Sequence, residues 1–236
     1  MNLIKNIFLF FILLNSVAQA KVFRNNYISF EMPDSWRCNL EQTEWVCRSQ
    51  NNNESREAII ILTAKEVGPT DSFPQYESHL NTPMTVNLKS GGVATSAVQY
   101  KAKNIQINNQ AWIDSLHLGS EVPNYYTRYV ATIKEQIAIL VTFSAHKDFY
   151  TKYSADFFKS IQSLQVIASK NLLARPDMGT MRPGSETLGS AIGSAMPADM
   201  MGAELVKKKK GSNTPLIIAL MLIAAGIAWF IYKRKK

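Results

Sequence analysis

Histidine and cysteine are scarce in this chain, which has three histidines and two cysteines among 236 residues. His79, His117 and His146 fall in three different predicted elements, so no two of them are spaced to share a metal ion. The C-x-x-C spacing of redox sites is also missing. We therefore predict no catalytic residue, no metal site and no cofactor, and we expect a non-enzymatic protein. An enzyme of an unrecognised class stays open as an alternative.

A triad-like group and a glycine pair come nearest to a catalytic motif. On a strand, Asp114 faces away from Ser115 and His117, and no oxyanion loop accompanies them. Gly91 and Gly92 lack the strand, glycine-rich loop and helix that form a phosphate site. Both patterns favour structural roles.

The basic excess of the chain lies near its ends. Residues 21–170 carry 15 Lys and Arg against 14 Asp and Glu, so this span contributes only +1 to the formal net charge of +8 and the other segments contribute +7. A nearly neutral domain lacks the positive electrostatic footprint of a nucleic-acid-binding protein. We expect no nucleic-acid partner.

The N-terminal segment, residues 1–20, is typical of a cleaved signal peptide. Eight consecutive apolar residues occupy 7–14, and Ala18 and Ala20 place small side chains where a signal peptidase requires them. The apolar run is well short of the roughly 20 residues that cross a bilayer. We predict that the chain is exported and that this segment is removed.

The C-terminal segment predicts a membrane anchor. Residues 215–232 contain no charge, and a helix of that length spans about 27 Å, enough to cross a bilayer. The basic residues 233–236 resist translocation and predict a cytoplasmic tail. We expect a single-pass protein of the inner (plasma) membrane, with the lipid bilayer as a partner and the N-terminal domain periplasmic or extracellular. Residues 171–214, rich in Met, Gly, Ser and Pro, predict a flexible linker.

A second interpretation of the C-terminal segment is open. An apolar helix followed by a basic cluster is also typical of surface proteins that are cleaved there and attached elsewhere. The recognised motif that precedes such a helix is missing, since Gly211-Ser212-Asn213-Thr214 stands in its place.

Cys38 and Cys47 form an even pair in a chain that we expect to be exported. In such chains a cysteine pair is more often a disulfide than a metal site or a nucleophile. The two cysteines lie in short predicted strands on either side of the polar turn 39–44. We predict a structural Cys38–Cys47 disulfide.

Residues 21–170 predict one exported α+β domain. The closing helix has an apolar face, and the last long strand is apolar on both sides, so the sheet is expected to be covered on both faces. We predict an α/β/α sandwich around a central, mostly antiparallel sheet. The predicted strands are 27–30, 36–38, 45–47, 58–63, 97–107, 111–118, 125–133 and 136–144, and the predicted helices are 71–80 and 150–164.

Three segments resemble a known family: YISFEMPDSW at 27–36, INNQAW at 107–112 and FFKSIQSL at 157–164. Through them the chain resembles the PsbP-like (PsbP/Mog-type) domains over about residues 22–167. The resemblance implies the same sandwich and a binding or assembly role, as in extrinsic photosystem proteins, a Ran-binding import factor and bacterial envelope proteins. It carries over no site residue, because the shared residues are turn and core residues. The cysteine pair and the anchor depart from the family pattern and favour an envelope role.

Trp112, Tyr126 and Arg128 are the candidate partner-binding residues. An exposed Arg beside aromatic side chains is a common interface anchor. The alternative is that these are strand residues covered by the two helical layers. We expect the exported domain to bind, or to help assemble, a protein partner in the cell envelope.

Overall fold

A seven-stranded antiparallel sheet forms the centre of the computed structural model, which describes residues 21–87 and 92–167. Its strands run in the order β3, β4, β5, β11, β10, β9, β8. Every neighbouring pair in this sheet is antiparallel. The strand bounds are β3 Trp36–Glu41, β4 Glu44–Ser49, β5 Ala58–Glu66, β8 Ala97–Ile107, β9 Gln110–Leu118, β10 Tyr125–Lys134 and β11 Ile137–His146.

Two smaller sheets and two helices accompany the central sheet. The first small sheet has β2 between β1 and β12, and the second is the hairpin of β6 and β7. These bounds are β1 Lys21–Arg24, β2 Ile28–Met32, β6 Thr85–Asn87, β7 Val93–Thr95 and β12 Gln165–Val166, with the helices α1 Phe73–Leu80 and α2 Tyr150–Gln162.

Helix α2 and the first small sheet cover one face of the central sheet. The apolar stripe of α2 buries Tyr153, Phe157 and Ile161 in the main core, where they meet residues such as Ile60 and Phe143. The spacing of these side chains by three and four residues places them on one side of the helix. The predicted core-facing helix at the end of the domain is therefore confirmed.

Helix α1 covers the other face. It buries Tyr76 and Leu80 against Ala138 and Leu140 of β11. Successive residues of a strand point to opposite faces, so β11 contributes to both cores. The prediction of an antiparallel α+β domain with its sheet covered on both sides is confirmed.

The Asn-rich hairpin between β8 and β9 is a two-residue turn. Asn108 and Asn109 both have positive φ, 48° and 61°, the left-handed region that Asn tolerates better than most residues and that tight hairpins require. The Asn108 side chain donates to the carbonyl oxygens of Gln162 and Leu164, at 3.2 and 3.0 Å. These two hydrogen bonds connect the turn to the C-terminal end of α2.

The predicted disulfide is confirmed. Cys38 and Cys47 are directly opposite each other on β3 and β4, and their sulfur atoms are bonded. Cys47 is fully buried and belongs to the main core. The bond therefore joins the edge strand β3 to the interior of the domain.

Four predicted segments lie outside the described residues: the signal peptide 1–20, the linker 171–214, the membrane helix 215–232 and the basic tail 233–236. Within residues 21–87 and 92–167, no helix combines the length and the apolar character needed to span a bilayer.

Candidate functional site

Arg128 and Asp114 form an ion pair across two neighbouring strands. Arg128 donates from Nε and Nη2 to the two carboxylate oxygens of Asp114, at 2.7 and 2.8 Å. The Asp114 side chain is only 2% exposed, whereas that of Arg128 is 28% exposed. These hydrogen bonds raise the pKa of Arg128, so the guanidinium stays charged. The pair therefore joins a buried carboxylate to a cation that reaches the surface.

Aromatic and basic side chains surround Arg128 on the same face of the sheet. Tyr126 contacts Tyr150 of α2 with a ring separation of 4.9 Å. Lys103 lies 4.5 Å above the ring of Tyr100. Cross-strand partners point to the same side of a sheet, and the register sets Tyr100 opposite Leu116 and Leu116 opposite Arg128. We call Tyr100, Lys103, Tyr126, Arg128 and Tyr150 the Arg128 patch.

Trp112 does not belong to the Arg128 patch. Its side chain has no exposed surface and lies in the main core, where half-buried Ile105 packs against the same cluster. Its Nε1 finds no acceptor within the described part of the chain. Full burial removes Trp112 from any binding surface, and of the three candidate residues only Tyr126 and Arg128 reach solvent in part.

A recess under α1 is the second site of interest, and sequence reasoning missed it. It contains about 310 Å³ of space free of protein atoms, including the space at its open mouth. We call it the α1 recess. Its lining residues are Tyr76, His79, Leu80, Met84, Glu121, Tyr129, Ala131 and Leu140.

Glu121 is the carboxyl group of the α1 recess. Its side chain accepts a hydrogen bond from the hydroxyl of Tyr129, and that hydroxyl is also 2.8 Å from Oγ of Ser120. Burial raises the pKa of Glu121 to about 7; the hydrogen bond from Tyr129 opposes this shift, and the nearby carboxylate of Glu44 adds to it. Glu121 therefore changes charge near neutral pH.

Lys65 and Asp71 form a fully buried ion pair beside the recess. Asp71 also accepts hydrogen bonds from the hydroxyl of Tyr76 and the backbone N–H of Gly68, both at 2.7 Å. Burial, followed by the contacts with Asp71, raises the pKa of Tyr76, which stays neutral.

His117 is buried, and both of its ring nitrogens have hydrogen-bond partners. Its Nε2 is 2.8 Å from the carbonyl oxygen of Leu80, and its Nδ1 is 3.3 Å from Oγ of Ser96. Burial lowers its pKa. Asp114 lies on the opposite face, paired with Arg128, so the triad-like group does not assemble. Among the described residues, no three His, Cys, Asp or Glu side chains are placed to hold a metal ion.

No protein-family model and no curated protein sequence matches this chain. Several solved structures are similar to it. PsbP from the cyanobacterium Synechocystis is similar over 65% of this chain and 95% of its own, at 12% identity and a TM-score of 0.44. The Ran-binding protein Mog1p of Saccharomyces cerevisiae is similar over 64% and 96%, at 8% identity and a TM-score of 0.41.

A structure from Bacteroides thetaiotaomicron is similar over 63% of this chain, at 14% identity and a TM-score of 0.38. The match spans about half, 48%, of that protein. PsbP and Mog1p are among these similar structures, so the expected resemblance to PsbP-like domains is confirmed at the level of the fold. At these identities and TM-scores, no partner or activity of this chain follows from them.

Proposed function

We propose that this chain is a non-enzymatic, membrane-anchored protein of the cell envelope whose exported domain binds a protein partner through the Arg128 patch. The observation that carries this proposal is the Arg128–Asp114 pair and its surroundings. A charged guanidinium that is held by two hydrogen bonds and flanked by aromatic rings is pre-organised for a partner. Lys103 adds a second exposed cation, so the patch suits a partner surface that carries carboxylates.

The envelope location is supported by three features of the chain. The signal-like segment 1–20 favours export, and the uncharged stretch 215–232 followed by 233–236 favours a single-pass anchor with a cytoplasmic C-terminus. The Cys38–Cys47 disulfide suits an oxidising compartment. The proposed arrangement places the Arg128 patch on the periplasmic or extracellular side of the inner membrane.

Photo-crosslinking in native envelopes tests the partner-binding role. A photoreactive amino acid replaces Tyr126 in the full-length chain, and a second version carries it at Phe158, which is 53% exposed on α2. We expect a protein adduct from position 126 that position 158 does not form. Lys103→Glu should suppress the adduct, whereas Lys159→Glu, an equal charge change on α2, should leave it intact.

The outcome that would overturn the proposal is an adduct with the same partner and yield from three proteins: the one with the photoreactive residue at position 126 alone, and the same protein carrying Lys103→Glu or Lys159→Glu. Absence of any adduct from position 126 would overturn it equally. Lys103 and Lys159 are both exposed, and cooperative thermal unfolding of each full-length variant is the control for folding, because Lys103 is paired with Asp114 in the strand register.

The intact mass of the protein from isolated membranes tests the anchor separately. A mass that begins at Lys21 and ends at Lys236 supports a removed signal and a retained helix. A mass that lacks 215–236 supports the sorted surface protein instead, since the processing enzyme would have removed the anchor.

A further inference from the structure

Strand β3 is one of the two edge strands of the central sheet, and in the described part of the chain no strand lies beyond it. The other edge strand, β8, contains register shifts and carries exposed Lys101 and Lys103, features that discourage pairing with another chain. β3 has no register shift and no lysine. The Cys38–Cys47 disulfide also fixes β3 to β4. A regular, fixed edge of this kind is able to accept a further strand.

The backbone geometry of β3 shows which groups face the open edge. Opposite residues of an antiparallel pair alternate between hydrogen-bonded pairs, with Cα atoms about 5.5 Å apart, and non-hydrogen-bonded pairs at about 4.5 Å. The Cα atoms of Cys38 and Cys47 are 3.9 Å apart, so the backbone N–H and C=O of Cys38 point away from β4. Leu40 lies two residues further along and has the same orientation. The backbone groups of Cys38 and Leu40 therefore face outward.

Trp36 marks the end of the open segment, because its outward backbone groups have partners within the domain. Its carbonyl oxygen accepts a hydrogen bond from Nζ of Lys21 at 2.9 Å, and its N–H donates to the carbonyl oxygen of Pro33 at 2.9 Å. The segment available to another strand is therefore short and runs from Cys38 to Leu40.

The charged side chains of β3 lie on the sheet face opposite to Cys38. Arg37 is exposed and stands directly across from Arg48 of β4, a position in which like charges repel each other. Arg48 donates to Oε1 of Glu41 at 2.8 Å, so Glu41 neutralises Arg48. None of the ion pairs between described residues includes Arg37. Arg37 is thus a cation for which an incoming strand can supply a carboxylate.

We propose that two copies of this chain pair through β3, antiparallel and centred on Asn39, so that their central sheets become one. In this register Cys38 lies opposite Leu40 of the second copy, and the outward N–H and C=O groups of each copy bond those of the other. On the other face, Arg37 lies opposite Glu41 of the second copy, whose Oε2 accepts from it. A register shifted by one residue in either direction separates Arg37 from that carboxylate.

This pairing is symmetric and closed, because each copy offers the same strand and each Arg37 meets the Glu41 of the other copy. The two-fold axis is perpendicular to the sheet, so the faces covered by α2 and β12 lie on the same side in both copies. Both chains therefore leave the paired domains on one side, which suits the proposed anchor in a single membrane. Attachment to that membrane raises the effective concentration for a contact as small as one strand pair.

Photo-crosslinking of the full-length chain in native membranes tests the pairing. A photoreactive amino acid replaces Asn39 in one version, and in the control it replaces Asn104, an exposed asparagine of the opposite edge strand β8. We expect position 39 to give an adduct of twice the monomer mass, which mass spectrometry identifies as two copies of this chain. Position 104 should not give that adduct.

A charge exchange tests the register. In the protein with the photoreactive residue at position 39, Arg37→Glu should lower the adduct yield about tenfold, because it places like charges opposite each other. Glu41→Arg should have the same effect. The double variant Arg37→Glu/Glu41→Arg restores opposite charges across the two copies and should recover the adduct. Equal yields from the single and double variants would overturn the proposed register.

A proline substitution tests the backbone hydrogen bonds. Leu40→Pro removes an N–H that faces the open edge, a position where edge strands tolerate proline, and it should abolish the adduct. Leu40→Ala keeps that N–H and should retain the adduct. Cooperative thermal unfolding is the control for folding, and if Leu40→Pro does not unfold cooperatively, the charge exchange at Arg37 and Glu41 decides.

Absence of the two-copy adduct from position 39 would overturn the proposal, as would its replacement by an adduct with a different protein. β3 and the Arg128 patch share no residue, and β4, β5 and β11 separate β3 from β10 in the sheet. The adduct from position 126 therefore tests the partner-binding role independently of the pairing of two copies.

Discussion

Arg128 on β10 donates two hydrogen bonds, of 2.7 and 2.8 Å, to the carboxylate of Asp114 on β9. The carboxylate is interior and the guanidinium is partly at the surface. The pair therefore has two functions: it neutralises a buried charge, and it orients a cation at the centre of the Arg128 patch.

Arg128→Met should destabilise the protein, because Asp114 would remain buried without its cation. Breaking a fully buried pair costs about 3 to 5 kcal/mol, and partial exposure of Arg128 reduces the expected loss to roughly 2 to 3 kcal/mol. Urea unfolding measures this loss in the free energy of unfolding. The double variant Arg128→Met/Asp114→Leu removes both charges and should recover most of the stability. A double variant as unstable as the single one would contradict this account.

Glu121 should make stability depend on pH. Its folded-state pKa of about 7 lies above its ordinary value of 4.5, so the folded state holds the proton more tightly than the unfolded state. Stability from this group is complete below about pH 4.5 and is lost as the pH rises through 7, by an amount on the order of 3 kcal/mol.

Urea unfolding at pH 5 and pH 8 measures this dependence. Glu121→Gln should remove most of the difference between the two values, because glutamine does not titrate. Glu77→Gln provides the matched comparison and should retain the wild-type difference. If wild type and Glu121→Gln lose the same stability between these two pH values, another group is responsible.

The Cys38–Cys47 bond should contribute to stability through the chain entropy of the unfolded state. Closing a loop of this length contributes roughly 2.5 kcal/mol. We expect the Cys38→Ser/Cys47→Ser variant to lose about that amount in urea unfolding. Wild-type protein under reducing conditions should lose a similar amount, whereas the serine variant should not respond to reductant.

Asn108 should stabilise the end of α2 through its side chain. Asn108→Gly keeps the positive φ without strain but loses the hydrogen bonds to Gln162 and Leu164, and we expect a loss of about 1 kcal/mol. Asn108→Ala should lose about 1 kcal/mol more, because a β-carbon disfavours this backbone conformation. Thermal unfolding of the two variants compares these costs. Equal stability of glycine and alanine would exclude the backbone contribution.

The sequence predicts best the elements whose residues carry their own periodic signal. The predicted strand 97–107 coincides with β8, and the apolar stripe of α2 is visible in its spacing. The resemblance segments around Asn108 and Leu164 meet in the structure through a hydrogen bond. Sequence reasoning located both segments but not their contact.

Short strands and buried charges depend on distant partners, and the sequence does not reveal them. β1 and β12 exist because they pair with β2. The predicted strand 58–63 stops before Lys65, because lysine is rarely buried. Asp71 pairs with Lys65, and Ser72 caps α1. Glu121 lies in a loop, where no periodic signal identifies it.

The place where the chain leaves the domain has a mechanical consequence. The last described strand, β12, pairs with β2 through two residues, Ile167 adds one hydrogen bond to Tyr27, and Lys134 donates one to the carbonyl oxygen of Val166. A pulling force applied beyond Ile167 would therefore peel β12 away first. β2 would keep its partner β1, and Asn108 would still hold the carbonyl of Leu164. The domain would yield a short length of chain under load while its sheet, its disulfide and both sites stayed folded.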